Sequence, residues 1–250
     1  MQTNKIVVIT GASRGIGAAT AKLFAQEGYG VCINFLTDDM AAERLKEDIL
    51  QYKVKCITVK ADVSKACEVQ RLFDTVDQEL GCLSVLVNNV GILKNQCRLD
   101  EMDEQRFSQV LNTNVMSCFL CSKQAVKRMS TRYGGAGGRI VNVSSGAAKS
   151  GSPNEYVDYA ASKGAIDSLT KGLALEVAGE GIRVNAVRPG LIYTDIHTAG
   201  GEPKRIDRLK SKIPMQRGGE PTEVAAAIYW LASEKSSFVT GSFVDIAGGL

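Results

Sequence analysis

Two side chains four residues apart, Tyr159 and Lys163, carry the most specific chemical signal in this 250-residue chain. Hydride transfer to a carbonyl leaves an alkoxide that must take a proton, so such a reaction needs a positioned acid. A tyrosine hydroxyl, with an ordinary pKa near ~10, serves poorly at neutral pH. A lysine one helical turn further on lies on the same face and favours the phenolate. Ser145, fourteen residues before Tyr159, ends a strand-like run and can donate a hydrogen bond to a substrate oxygen. Two neighbours are decoys. Tyr156 has Ala160, not a lysine, four residues on, and strand alternation points Ser144 away from Ser145.

A second signal stands at the start of the chain. The apolar run Lys5–Thr10 opens into Gly11-Ala12-Ser13-Arg14-Gly15-Ile16-Gly17, and a helical pattern follows at once. Glycines at a strand-to-helix turn let the backbone approach a pyrophosphate, which then rests on the free N–H groups of the helix N-terminus. The spacing is GxxxGxG rather than GxGxxG.

These groups need a scaffold, and the apolar periodicity supplies one. Short Val/Ile-rich runs occur at 5–10, 31–35, 56–60, 83–88, 139–144, 183–187 and 242–246. Helical-period segments lie between them at 16–27, 40–51, 65–80, 107–129, 159–177 and 221–232. Strict alternation of strand and helix predicts βαβ units and a single-domain, doubly wound, seven-stranded parallel sheet with helices on both faces. Near-continuous apolar strands fit burial on both sides. The alternation fails at 194–217, about two dozen residues containing Gly200-Gly201-Glu202-Pro203 and the basic piece Lys204–Lys212. Long insertions in compact domains are usually binding loops, so a substrate lid is expected there.

Composition narrows the class. A hydrophobic content of 44% fills a sizeable core, and a formal charge of +3 gives no footprint for nucleic acid or an acidic membrane surface. No apolar stretch approaches the ~18–20 residues of a bilayer span, and no signal-peptide pattern opens the chain, so a cytoplasmic protein is expected. The seven cysteines and the only histidine, His197, show no metal-ligand spacing, and no metal is expected. Cys118 and Cys121 form a CxxC inside an apolar helical run, which reads as core packing rather than redox chemistry.

The glycine turn resembles the cofactor motif of the short-chain dehydrogenases/reductases, and the rest of the chain follows that family's order. Asp62-Val63 matches its adenine contact, Asn88-Asn89-Val90-Gly91 its NNAG, and Asn114 its helix asparagine. Ser145 and the YxxxK of Tyr159 and Lys163 come next, then Pro189-Gly190, with Ile192 and Thr194 behind them. The resemblance implies an NAD(P)-dependent oxidoreductase with Asn114, Ser145, Tyr159 and Lys163 as catalytic residues. It implies that Lys163 also holds the nicotinamide ribose and that Asn114 supports a water chain to the tyrosine. Cofactor contacts are expected from Gly11, Ser13, Arg14, Gly15, Ile16, Gly17, Asp62, Val63, Asn89, Gly91, Pro189, Gly190, Ile192 and Thr194. The chain departs from the family by one extra residue between Ser145 and Tyr159, and by Val90 where alanine is usual.

An acid at the end of the second strand would bind a ribose 2′-hydroxyl and select NAD. Phe35 stands there instead, while Arg14 stands where NADP-preferring relatives pair with the 2′-phosphate. NADP(H) is therefore expected, with NAD(H) possible. Leu36 replaces a second arginine, and Asp38-Asp39 read as N-terminal acids of the next helix. The nearest likeness is to bacterial glucose-dehydrogenase-like members, through Leu173-Ala174-Leu175-Glu176, Ile182-Arg183-Val184-Asn185 and Ile213-Pro214-Met215. A sugar or small ketone is the expected substrate. A 3-oxoacyl-carrier-protein reductase is the alternative: Leu175 stands where such enzymes often carry a carrier-docking arginine, yet the basic lid suits an acidic carrier. A nicotinamide sensor without turnover is the remote alternative, since sensors tend to lose the tyrosine or lysine kept here. Surplus apolar residues on 114–129 and 159–177, among them Val115, Phe119, Leu120, Val126, Ile166, Leu169, Leu173 and Val177, predict a homotetramer built partly on these helices, with 247–250 near an interface.

Overall fold

The computed structural model describes residues 5–250. In chain order the regular elements are β1 (Ile6–Ile9), α1 (Gly15–Gln26), β2 (Gly30–Phe35), α2 (Asp39–Leu50), β3 (Cys56–Lys60), α3 (Ala66–Glu79) and β4 (Leu83–Asn88). Then come α4 (Glu104–Leu111), α5 (Ser117–Met129), β5 (Gly138–Val143), α6 (Ala147–Ser150), α7 (Val157–Val177) and β6 (Ile182–Pro189). The chain closes with α8 (Ile196–Ala199), α9 (Arg205–Leu209), α10 (Pro221–Ala232) and β7 (Phe243–Ile246).

All seven strands pair in parallel in the order β3-β2-β1-β4-β5-β6-β7, the expected doubly wound sheet. Strand alternation sends Val7, Ile9, Val31, Ile33, Val85 and Val87 to one face, where they meet Phe24 of α1, Leu45 of α2 and Ile228 of α10. Ile6, Val8, Leu86, Ile140 and Val184 face the other side, against Phe73 of α3, Met129 of α5 and Val177 of α7. Cys118 and Cys121 are buried on that second side as unpaired thiols, and burial pushes both thiol pKa values up, Cys118 to about 12. The core-packing reading of the CxxC fits this placement.

Helix starts follow local chemistry. The Asp38 carboxylate accepts from the Ala41 N–H at 2.9 Å and caps α2, while Asp39 pairs with Lys60 at 2.8 Å. Pro221 opens α10 behind Glu220, whose own N–H donates to the Glu223 carboxylate at 2.8 Å.

Three departures from the periodic reading bear on the site. The segment expected as one helix over 107–129 is α4 and α5 joined by a π-helical turn, Asn112–Met116. The piece 204–212 is only partly α-helical, and α8 precedes it. The helix bearing Tyr159 begins two residues early, because the buried Asp158 carboxylate takes the Tyr159 N–H at 2.8 Å in its first turn.

Candidate active site

In an open parallel sheet, ligands bind beyond the carboxyl ends of the strands where strand order reverses. Here that point lies between β1 and β4, and a cavity of about 960 Å³ opens over the ends of β1, β4, β5 and β6. Gly11, Ser13, Arg14, Gly15 and Ile16 line it from the β1–α1 turn. Asn89 and Gly91 line it after β4, Ser145, Tyr159 and Lys163 after β5, and Pro189, Gly190, Ile192 and Thr194 after β6. Four expected residues lie outside the lining. Gly17 and Asn114 sit behind it, the Val63 side chain is buried in the core, and Asp62 folds its carboxylate onto the Ser64 N–H and hydroxyl at 3.0 and 2.6 Å.

The glycine turn has no room for side chains. Gly15 takes a left-handed φ of 55°, and a Cβ on Gly17 would come within 2.7 Å of both Asn89 Nδ2 and the Gly11 carbonyl. Asn89 Nδ2 donates to the Thr10 and Gly11 carbonyls at 3.0 Å each, which ties the loop after β4 to the turn after β1. Buried Asn34 does the same from β2. Its Oδ1 accepts from the Gly11 N–H at 3.3 Å, and its Nδ2 donates to the Val59 and Ala61 carbonyls. Asn34 was not expected as a site residue, although one polar residue in an otherwise apolar strand is a visible signal. Gly15 and Ile16, the first residues of α1, line the cavity, which fits a pyrophosphate at that helix N-terminus.

Across the cavity the proton-handling groups converge. The Lys163 ammonium is buried, donates to the Val143 carbonyl at 2.7 Å and stands 5.5 Å from the Tyr159 ring centroid. Burial lowers its pKa to about 8. Burial raises that of Tyr159 to about 12, while the nearby Ser145 hydroxyl pulls the other way. At pH 7 the lysine is charged and the tyrosine is a neutral proton donor, with the cation placed to support the phenolate left after transfer. Ser144 turns away as expected, its hydroxyl donating to the Lys163 carbonyl at 3.3 Å. Asn114, fully buried in the π-helical turn, accepts from the Ile92 N–H at 2.7 Å and donates to the Ile92 carbonyl and the Ser162 hydroxyl. The π turn opens the helix where this asparagine must reach the loop after β4.

Segment 194–217 closes the remaining side. The Tyr156 hydroxyl donates to the Gly200 carbonyl at 3.2 Å, so this decoy has a structural task. Arg205 donates to Glu155 and Glu202, Arg208 to Glu202, and Gln96 to Glu202 at 2.7 Å. These bonds, Arg208's foremost, hold the Glu202 carboxyl at about 2. Glu155 and Tyr156 stand just before α7, after a turn in which Ser152 and Asn154 take positive φ.

The family described as enoyl-(acyl carrier protein) reductase matches residues 11–250. An oxidoreductase of Escherichia coli (strain K12), uncharacterized oxidoreductase YgfF, is 57% identical over 98% of this chain and 99% of its own length. Glucose 1-dehydrogenase 2 of Bacillus subtilis (strain 168) is 38% identical over 99% and 95%. A 3-oxoacyl-[acyl-carrier-protein] reductase of Staphylococcus epidermidis (strain ATCC 35984 / DSM 28319 / BCRC 17069 / CCUG 31568 / BM 3577 / RP62A) is 36% identical over 99% of each. Among solved structures, a short chain dehydrogenase from Burkholderia cenocepacia J2315 in complex with NADP superposes with a TM-score of 0.90, at 31% identity over 98% of this chain and 97% of that one. This chain belongs to the short-chain dehydrogenase/reductase family.

A 3-ketoacyl-(acyl-carrier-protein) reductase from Brucella melitensis complexed with NADH matches equally well, with a TM-score of 0.90 at 31% identity over 98% and 97% of the two chains. Short-chain dehydrogenase/reductase relatives thus carry either dinucleotide on this fold and act on different substrates. The protein is an oxidoreductase of that family. Among its described residues no helix is long and apolar enough to cross a membrane.

Proposed function

We propose that this protein is an NAD(P)-dependent carbonyl reductase or alcohol dehydrogenase acting on a small neutral substrate. The observation that carries the reading is the convergence of Ser145, Tyr159 and charged Lys163 across one cavity from the glycine turn. When bound, a nicotinamide dinucleotide supplies or accepts the hydride. The chain's own part is binding, orientation and proton transfer. The Gly11–Gly17 turn holds the pyrophosphate, Asn89 fixes that turn, and Ile192 and Thr194 hold the nicotinamide end. Ser145 donates to the substrate oxygen, and Tyr159 gives that oxygen its proton in reduction or takes it in oxidation. Lys163 holds the compensating charge and a ribose hydroxyl, and Asn114 fixes the loop through Ile92.

NADP(H) is the preferred cofactor in this reading. Phe35, Leu36 and exposed Arg14 line the cavity where an acid would select NAD; Asp38 lines it too but caps α2 with Oδ1 on the Ala41 N–H, and Asp39 pairs with Lys60. Segment 194–217 serves as the substrate lid. Arg205 and Arg208 pair with Glu155 and Glu202, and Arg217 with Glu223, which leaves less unpaired positive charge for an acidic carrier and favours a small substrate over an acyl-carrier thioester. We also propose a cytoplasmic homotetramer, supported by the exposure of Met116 and Phe119 on the π turn and α5, and of Leu175 on α7.

Substituting Tyr159→Phe tests the reading. The ring still packs and dinucleotide binding persists, while turnover falls at least ~100-fold. Retention of more than a few per cent of wild-type activity would refute the assignment of Tyr159.

A further inference from the structure

Within the oxidoreductase reading, one buried side chain of the proposed lid bears on the substrate itself. His197, on α8, is only 8% exposed and lines the cavity. Its Nε2 stands 3.1 Å from the Ile192 carbonyl. A carbonyl only accepts, so Nε2 carries the ring hydrogen and Nδ1 presents a lone pair. Burial moves the ring pKa below its ordinary value, which keeps the imidazole neutral at pH 7. Nδ1 is buried, and no described residue donates to it.

The neighbouring polar groups are already engaged. The Tyr156 hydroxyl is spent on Gly200, and the Arg205 guanidinium on Glu155 and Glu202. Nε2 ties the ring to the Ile192 carbonyl, and the His197 carbonyl accepts from the Glu202 N–H at 2.9 Å. Buried polar atoms are nearly always paired, and one left unpaired in a native fold calls for an explanation in ligand binding or chemistry.

We propose that His197 Nδ1 accepts a hydrogen bond from a hydroxyl of the substrate, so that the substrate class is hydroxyl-bearing carbonyl compounds and, in the reverse direction, polyols. The lid turns enough on binding to bring the hydroxyl against Nδ1. A site built to pair a hydroxyl discriminates against the analogue that lacks it, because the buried acceptor then stays unpaired.

The test uses matched substrates: hydroxyacetone against acetone, 3-hydroxy-2-butanone against 2-butanone, and an aldose against its deoxy counterpart. Wild type favours the hydroxylated member by at least about 10-fold in kcat/KM. His197→Gln keeps an amide donor near the Nε2 position and its bond to Ile192, and removes the Nδ1 acceptor. It loses about 10-fold or more on hydroxylated members and stays within about two-fold on the others, with an unchanged KM for the dinucleotide. His197→Asn, whose Oδ1 takes the place of Nδ1, restores the preference. Equal losses on both members of each pair, or a raised dinucleotide KM for every substrate, overturn the proposal, the second result pointing to a cofactor amide as the donor. Wild type without preference overturns it too. A wild type that reduces no carbonyl with either nicotinamide overturns the oxidoreductase reading, and this one with it.

Discussion

Asp158 stands immediately before Tyr159, with an exposure of 1%, and its carboxylate accepts from Arg106 Nε at 2.8 Å, from Arg106 Nη2 at 3.4 Å and from the Tyr159 N–H at 2.8 Å. Arg106, on α4, also donates to the Asn95 carbonyl at 2.7 Å and to Cys97 Sγ at 3.0 Å. One guanidinium thus ties the loop after β4 to the first turn of the helix that carries Tyr159. Breaking a buried pair by removing one partner costs about 3–5 kcal/mol, since a charge is left without compensation. The two single substitutions should fall at opposite ends of that range. Asp158→Leu leaves Arg106 with two partners and some solvent, so about 3 kcal/mol is expected. Arg106→Leu leaves the carboxylate buried with one N–H donor, so about 5 kcal/mol is expected. Replacing both residues removes both charges and should cost about 1 kcal/mol or less. Urea unfolding at one fixed protein concentration gives the cycle, with a coupling of several kcal/mol. For a chain of this size, Asp158→Leu should lower Tm by roughly 6–12 °C. Single substitutions that each cost less than about 1 kcal/mol, or costs that simply add in the double variant, would refute the argument that this pair is a buried clamp.

Arg14→Ala should weaken NADPH binding by about 1–3 kcal/mol and leave NADH nearly unchanged, as read by fluorescence titration; equal losses would make Arg14 a shaper of the turn. Lys163 has its folded pKa depressed to about 8 from 10.5, so between those values the unfolded chain holds one more proton and ligand-free stability rises with pH. Lys163→Met should lack that rise; parallel stability curves for the two proteins between about pH 7.5 and 9.5 would contradict the burial argument. Light scattering at low micromolar concentration should give about four times the 26.8 kDa chain mass. A fully active monomer would rule out the interface drawn from Met116, Phe119 and Leu175.

The sheet was legible because its signal is redundant. The central strands β1, β2 and β4 are largely apolar on both faces and the covering helices repeat a periodic stripe, so a slip of one or two residues at an end changes nothing about topology. The π-helical turn at Asn112–Met116 left no mark in that periodicity. One extra residue in a helical turn shifts the apolar stripe by about 100°, but polar and apolar residues are mixed throughout 107–129, so the shift does not stand out there. What sets the turn is long-range: the Asn114 amide meets Ile92 and Ser162, and neither partner is visible from position 114.

The same distinction separates the chemistry that could be read from the specificity that could not. Tyr159 and Lys163 act through a spacing fixed by one helical turn, and the glycine turn acts through backbone that only glycine permits, so both are local and appear as motifs. The segments around the cavity are tied together by side chains far apart in sequence. Glu155 meets Arg205 across fifty positions, Gln96 meets Glu202 across more than a hundred, and Arg106 reaches Asp158 from another helix. Neither member of such a pair has a signature of its own, because a charged residue in a loop is the common state of charged residues. His197 shows this most sharply. In the sequence it was a lone histidine without metal-ligand spacing, and only the surroundings of its two ring nitrogens make it chemically specific. One nitrogen is committed to Ile192, which forces the other to be an acceptor. An acceptor buried at the cavity wall constrains the substrate more than any motif here, since a motif states which reaction is catalysed and a pairing requirement states what must be brought to it.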